Sequence, residues 1–174
     1  LGELQFASMT TPQELNGPLS PEAAIAAERA MRRCILNYCL GIDRCDPELV
    51  ASAFHGDGTA DYGSFKGLGA DFAKHATTSL RGYAIATKHF PSDTVFSFTS
   101  LTTAEAETQV LAWHRCSNDG GEYLENFAGR YFDSFELRNG DWRIAHRRLT
   151  HDWNQKLMVE PAFAPDRFVQ SPRK

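Results

Sequence analysis

Two alternating apolar–polar runs, residues 123–138 and 141–151, are joined by the dipeptide Asn139-Gly140, and this joint constrains the fold more than any other stretch. A two-residue hairpin turn needs positive φ at both central positions, which asparagine and glycine tolerate best. The two runs are therefore long, neighbouring antiparallel strands. Upstream, strands are expected over residues 84–90, 94–101 and 104–116, with a turn at Asp119-Gly120-Gly121 and a short strand over residues 59–62.

Before Gly56 the period changes. Ser20-Pro21-Glu22 opens a helix, with serine as the cap and proline in the first turn. Met31, Cys34, Ile35, Tyr38, Cys39 and Ile42 then recur at helical spacing on one face, while Glu28, Arg29, Arg32 and Arg33 decorate the other. Gly41 reads as the end of that helix. Asp46-Pro47-Glu48 starts a shorter one with Leu49, Val50 and Phe54 facing inward, and residues 67–80 carry a weaker helical pattern. Helices first and antiparallel strands afterwards give an α+β domain. A strongly curved sheet wrapped around the first helix would leave a cone-shaped pocket between them. Residues 1–19 read as an N-terminal arm, 20–153 as the domain, and 154–174, with Pro161, Pro165 and Pro172, as a C-terminal tail placed to cover something.

At 174 residues the chain can bury a core without metals or disulfides. Its net charge of −4, with no Lys/Arg run longer than two, leaves no broad basic face, so nucleic acid is not an expected partner. No apolar stretch approaches the roughly 20 residues of a membrane helix, and the opening residues lack the order of a secretion signal. A cytoplasmic protein is expected. Cys34, Cys39, Cys45 and Cys116 form no C-x-x-C pair and read as idle thiols; without an H-x-x-x-H pair, no metal site is expected either.

Six residues stand out as candidates for chemistry. Asp43 follows a helix C-terminus, where the macrodipole disfavours a carboxylate; its plain reading is a pairing with Arg44. Alternation places His89 on the face of Thr87, and His114 with Val110 and Ala112, a small apolar face suited to lining a pocket. An aspartate bonded to one imidazole nitrogen fixes the tautomer and makes the other nitrogen the base. Tyr38 points inward from the first helix and Tyr62 lies on the first short strand; each is either a filler or a phenol that holds an oxyanion. Arg130 is either a buried guanidinium paired with an acid or an anion clamp. The charged stretch from His146 to Asp152 reads as an interface or rim.

Gly41-Ile42-Asp43-Arg44-Cys45-Asp46, Asp61-Tyr62-Gly63-Ser64-Phe65-Lys66-Gly67, Thr87-Lys88-His89, Arg130-Tyr131-Phe132-Asp133-Ser134-Phe135-Glu136 and Trp142-Arg143-Ile144-Ala145-His146 together resemble SnoaL-like proteins of the NTF2-like superfamily, over residues 20–153. The resemblance implies an oligomeric, cone-shaped α+β barrel, a dimer or trimer joined through the outer sheet face. It also implies kinship with cofactor-independent lyases: scytalone dehydratase, bile-acid 7α-dehydratase, a hexachlorocyclohexane dehydrochlorinase and formaldehyde lyases of lignin-derived diaryl propanoids. Asp43 and His89 fall on their Asp–His dyad, Tyr38 and Tyr62 on pocket tyrosines, and His114 on a second histidine. Ile42 replaces the tyrosine that precedes the aspartate in scytalone dehydratase, which argues against a scytalone substrate. The resulting expectation is a metal- and cofactor-free lyase acting on a bulky aromatic or alicyclic substrate, with His114 and Arg130 binding it. The alternative is a non-catalytic module of the same fold that holds a hydrophobic ligand or serves assembly. Phe96, Phe98, Trp113, Tyr131, Phe132 and Phe135 exceed what one small core readily absorbs, which favours an interface.

Overall fold

The computed structural model describes residues 19–173; most of the expected N-terminal arm lies outside them. Helix α1 (Pro21–Arg44) begins as its sequence dictates, with the Ser20 hydroxyl accepting from the Ala23 N–H. It does not stop at Gly41. The stop comes at Cys45, a left-handed cap (φ 53°) whose N–H returns to the Gly41 and Ile42 carbonyls. Gly41 serves contact instead: a Cβ there would sit 2.7 Å from Val50 Cγ2, so its absence lets α2 (Pro47–Ala51, capped by Asp46) pack against α1.

Strand β1 (Phe54–Asp61) starts earlier than the alternation predicts, so Phe54 belongs to the sheet rather than to α2. A three-residue strand β2 (Lys66–Leu68), too short to carry a period, precedes α3 (Gly69–Tyr83). Strand β3 (Ala84–Phe98) merges the two strands expected there and passes through Pro91 with a register shift, which an edge strand tolerates because its outer N–H needs no partner. It is followed by β4 (Thr103–Asn118), β5 (Gly121–Arg138) and β6 (Asp141–Met158). Asn139 (φ 53°) and Gly140 (φ 86°) make the hairpin turn as expected.

The sheet runs β2-β1-β6-β5-β4-β3. All pairings are antiparallel except β1 with β6, and the sheet stays open rather than closing into a barrel. Met31, Ile35, Tyr38 and Ile42 of α1 are buried against Tyr131, Phe135, Trp142 and Ile144 of the concave face. Phe96 and Phe98 pack on the same core, so four of the six aromatic residues singled out in the sequence are absorbed by it. Strand β6 carries the sheet into the segment read as a tail. The chain beyond β6 returns to the free edge of β3, where Arg173 donates to the Ala84 and Ile85 carbonyls and to Cys45 Sγ. These bonds cover the first two residues of that edge strand. Among the described residues no helix is long and apolar enough to cross a membrane.

Candidate active site

Helices α1 and α3 and the concave face of β4–β6 enclose a cavity of about 560 Å³, within the usual range for small-molecule sites. Ile42, Phe72, Leu80, Ala112, Phe127 and Leu149 supply much of its apolar wall; polar side chains also line it, among them His75, Glu125, Asn126 and Lys156, and two sets of polar groups beside it are bonded to one another.

One set is Asp43 and His89, of which His89 lines the cavity. The last turn of α1 delivers Asp43 to the edge strand β3, where its Oδ1 accepts from His89 Nδ1 at 2.8 Å and its Oδ2 from the His89 backbone N–H at 3.2 Å. Both side chains are about one-tenth exposed, at 11% and 10%. The partner of Asp43 is thus His89, not Arg44. In the neutral ring, a carboxylate on Nδ1 sets the tautomer that leaves Nε2 without a proton, and this ring lines the cavity. His114 stands two register pairs along on β4, its ring centre 5.8 Å from that of His89. Burial foremost, and then His89, push its pKa down to about 4, so at neutral pH it is an uncharged imidazole.

In the other set, the hydroxyls of Tyr38 and Tyr62 meet at 2.5 Å. Burial raises both phenols, Tyr62 to about 12 and Tyr38 well above its ordinary value, so they are protonated donors. Against them lies a fully buried ion pair. Arg147 makes a two-pronged pair with Asp133, Nε to Oδ1 and Nη2 to Oδ2, each at 2.6 Å and with both side chains fully buried. Its guanidinium carbon sits 4.3 Å from the centre of the Tyr38 ring and 4.0 Å from that of Tyr131.

The structure thus brings His89, Tyr38, Tyr62 and His114 to the wall of one cavity, with Asp43 bonded to His89 behind it. It does not bring Arg130, which lies on the convex face, partly exposed and paired with Glu107 and Asp152. The buried guanidinium is Arg147, from the stretch read as a rim. Its neighbours are exposed instead: Arg148 lies over Phe132 and His146 bonds Thr59. Alternation held a signal for the acid at least, because Asp133 shares its face with Tyr131 and Phe135, and a carboxylate between buried aromatics needs a cation. Tyr83, Phe72 and Phe127 also line the cavity without having been singled out. Among the described residues no three His, Cys, Asp or Glu side chains converge as metal ligands would.

The SnoaL-like domain family matches residues 23–148. The chain belongs to that family. Among solved structures, this SnoaL-like chain is similar to a Novosphingobium aromaticivorans protein provisionally named scytalone dehydratase, at 25% identity and TM-score 0.69 over 86% of this chain and 100% of that one. It is also similar to a type 2 hexachlorocyclohexane dehydrochlorinase, LinA (19% identity, TM-score 0.73, 86% of this chain and 100% of that one). A type 3 LinA from Novosphingobium barchaimii gives 18% identity and TM-score 0.72, over 82% of this chain and 100% of that one. The two dehydrochlorinases show the shared fold alone. No curated protein matches the chain. Dehydratase- and dehydrochlorinase-type lyases thus number among the neighbours of this SnoaL-like fold.

Proposed function

We propose that the protein is a lyase that works by acid–base elimination without a cofactor, with Asp43 and His89 as its catalytic pair. The observation that carries this reading is the Asp43–His89 hydrogen bond at the wall of a mostly apolar cavity. Asp43 holds the ring and balances the charge formed when His89 Nε2 takes a proton. Tyr38, Tyr62 or His114 is the donor for the oxygen on which negative charge grows, or protonates the departing hydroxyl. General acid–base help of this kind supplies about 10²–10⁴-fold; orientation in the enclosed site supplies the rest.

Phe65, Phe72, Phe127, Tyr38, Tyr62 and Tyr131 surround the cavity, which favours a bulky aromatic or alicyclic substrate. Two eliminations fit. In a dehydration, His89 removes a proton from a carbon beside a carbonyl, the C–H pair becomes the new double bond, and the β-hydroxyl leaves as water with a proton from a donor. In a formaldehyde loss, His89 removes the proton of a hydroxymethyl group next to an aryl-bearing carbon. The C–C bond breaks to release formaldehyde, and its electron pair forms the double bond while a neighbouring hydroxyl departs as water with a proton from a donor. Self-association through the convex face belongs to the same proposal; Phe90, Leu111 and Trp113 stand exposed there.

The test is product analysis by mass spectrometry over β-hydroxy carbonyl steroids, polyketides and diaryl propanediols, comparing wild type with His89→Ala and Asp43→Asn. Asp43 uses both oxygens to accept, so an asparagine must face one N–H with its own amide, and turnover should fall by about 10²–10⁴-fold. Full activity in folded variants sinks the dyad. Silence across the panel, with a ligand retained in native spectra, favours the binding module.

A further inference from the structure

His114 carries two nitrogens with unequal surroundings. Nδ1 lies 3.2 Å from the hydroxyl of Tyr83, the last residue of α3, and the two rings meet edge to face. Nε2 has almost no contact with solvent and no hydrogen-bond partner, although the residue lines the cavity. A buried polar nitrogen without a partner is costly and calls for an explanation, such as a ligand atom that completes it. Which nitrogen holds the proton decides what that ligand atom must be.

The direction of the Tyr83–His114 bond follows from the groups. A phenol O–H is a better donor than a neutral imidazole N–H, and an unprotonated imidazole nitrogen is a better acceptor than a phenol oxygen. Tyr83 therefore donates and Nδ1 accepts, which leaves the proton of the neutral ring on Nε2. His89 has the opposite arrangement: its Nδ1 is committed to Asp43, so its Nε2 is bare. Thr87 of β3 and Glu125 of β5 stand opposite His114 in register. With these tautomers the two adjacent imidazoles, both lining the cavity, have opposite polarity, one acceptor and one donor.

We propose that Tyr83 is the positioning residue that locks His114 as the Nε2–H tautomer, making it a neutral hydrogen-bond donor to a carbonyl or hydroxyl oxygen of the substrate while His89 removes the proton. The substrate's part in this rests on the lyase reading above; the tautomer itself does not. Burial and the neighbouring His89 work in the same direction by keeping His114 uncharged. Because Tyr83 ends α3, the helix that walls the cavity also sets the polarity of its second histidine.

The experiment uses protein labelled with ¹⁵N at histidine, without substrate, and long-range ¹H–¹⁵N spectra at pH 7.5. Wild type is expected to show His114 with a pyrrole-type Nε2 and a pyridine-type, hydrogen-bonded Nδ1. In Tyr83→Phe, Nδ1 should shift toward the position of a free nitrogen and the other tautomer should become populated. On any substrate that wild type turns over, Tyr83→Phe should lower kcat roughly fivefold, about the worth of one neutral hydrogen bond, with KM unchanged. A residue that merely lines the mouth would move KM and leave the His114 signals in place. A pyrrole-type Nδ1 in wild type, or identical His114 signals in Tyr83→Phe, overturns the proposal even if lyase activity is found. The expected spectra in a protein inert across the substrate panel would uphold the lock and count against the lyase reading alone.

Discussion

Replacing Asp133 with asparagine keeps the shape of the side chain and removes its charge, stranding the Arg147 guanidinium in the protein interior. Both side chains are fully buried and joined by two hydrogen bonds of 2.6 Å. Breaking such a pair by removing one partner costs about 3–5 kcal/mol, because the remaining charge cannot regain its hydration. Some of that loss is softened here. The substituted amide can still accept one hydrogen bond, and the stacked faces of Tyr38 and Tyr131 continue to favour the cation, together placing the cost at the lower end, about 3 kcal/mol. For a chain of this size that corresponds to a fall in Tm of roughly 6–12 °C. Urea unfolding should show a lower midpoint with an unchanged slope. The double variant Asp133→Leu/Arg147→Met removes both charges and should regain most of the loss. A single variant within about 1 kcal/mol of wild type, or a double variant no better than the single, would refute the view that the pair is held by mutual charge compensation.

Two further outcomes rest on the same physics. The pKa of His114 lies near 4 when folded against an ordinary 6.5, so between those values the unfolded chain binds a proton that the folded protein refuses. Stability should therefore fall as pH drops from about 6.5 to about 4 and level off below, by up to something on the order of 3 kcal/mol. His114→Gln should flatten that slope in urea titrations at pH 7.5, 5.5 and 4.5, and an unaltered slope would assign the acid sensitivity elsewhere. Gly129 has no room for a side chain: a Cβ there would run into the Thr150 carbonyl and crowd the Phe127 ring. Backbone cannot give way as a flexible side chain can, so Gly129→Ala should lower stability by at least the roughly 1–3 kcal/mol of an overpacked core, read as a lower urea midpoint; a wild-type midpoint would show that β5 and β6 can separate there.

Local chemistry wrote the elements of this protein. The Ser20-Pro21 and Asp46-Pro47 starts, the helical stripe from Met31 to Ile42 and the Asn139-Gly140 turn each depend on neighbours within a few residues, and each is legible in the sequence. The site was legible as a set of residue types on inward faces, because a period of two or 3.6 says which residues share a face. It does not say which face is inside, so Arg130 was open to a place in the pocket and instead stands on the convex side. Nor does it say which distant residue lies opposite. A perfect two-residue hairpin would set Asp133 against His146; the register shift between Ser134 and Phe135 slides β6 and puts Arg147 there instead. The bond between Asp43 and His89 spans 46 positions of sequence, and Tyr83 reaches His114 only because α3 ends beside β4. The pairing of acids, bases and donors was decided by tertiary structure, since strand register and helix packing alone bring such distant side chains within bonding distance.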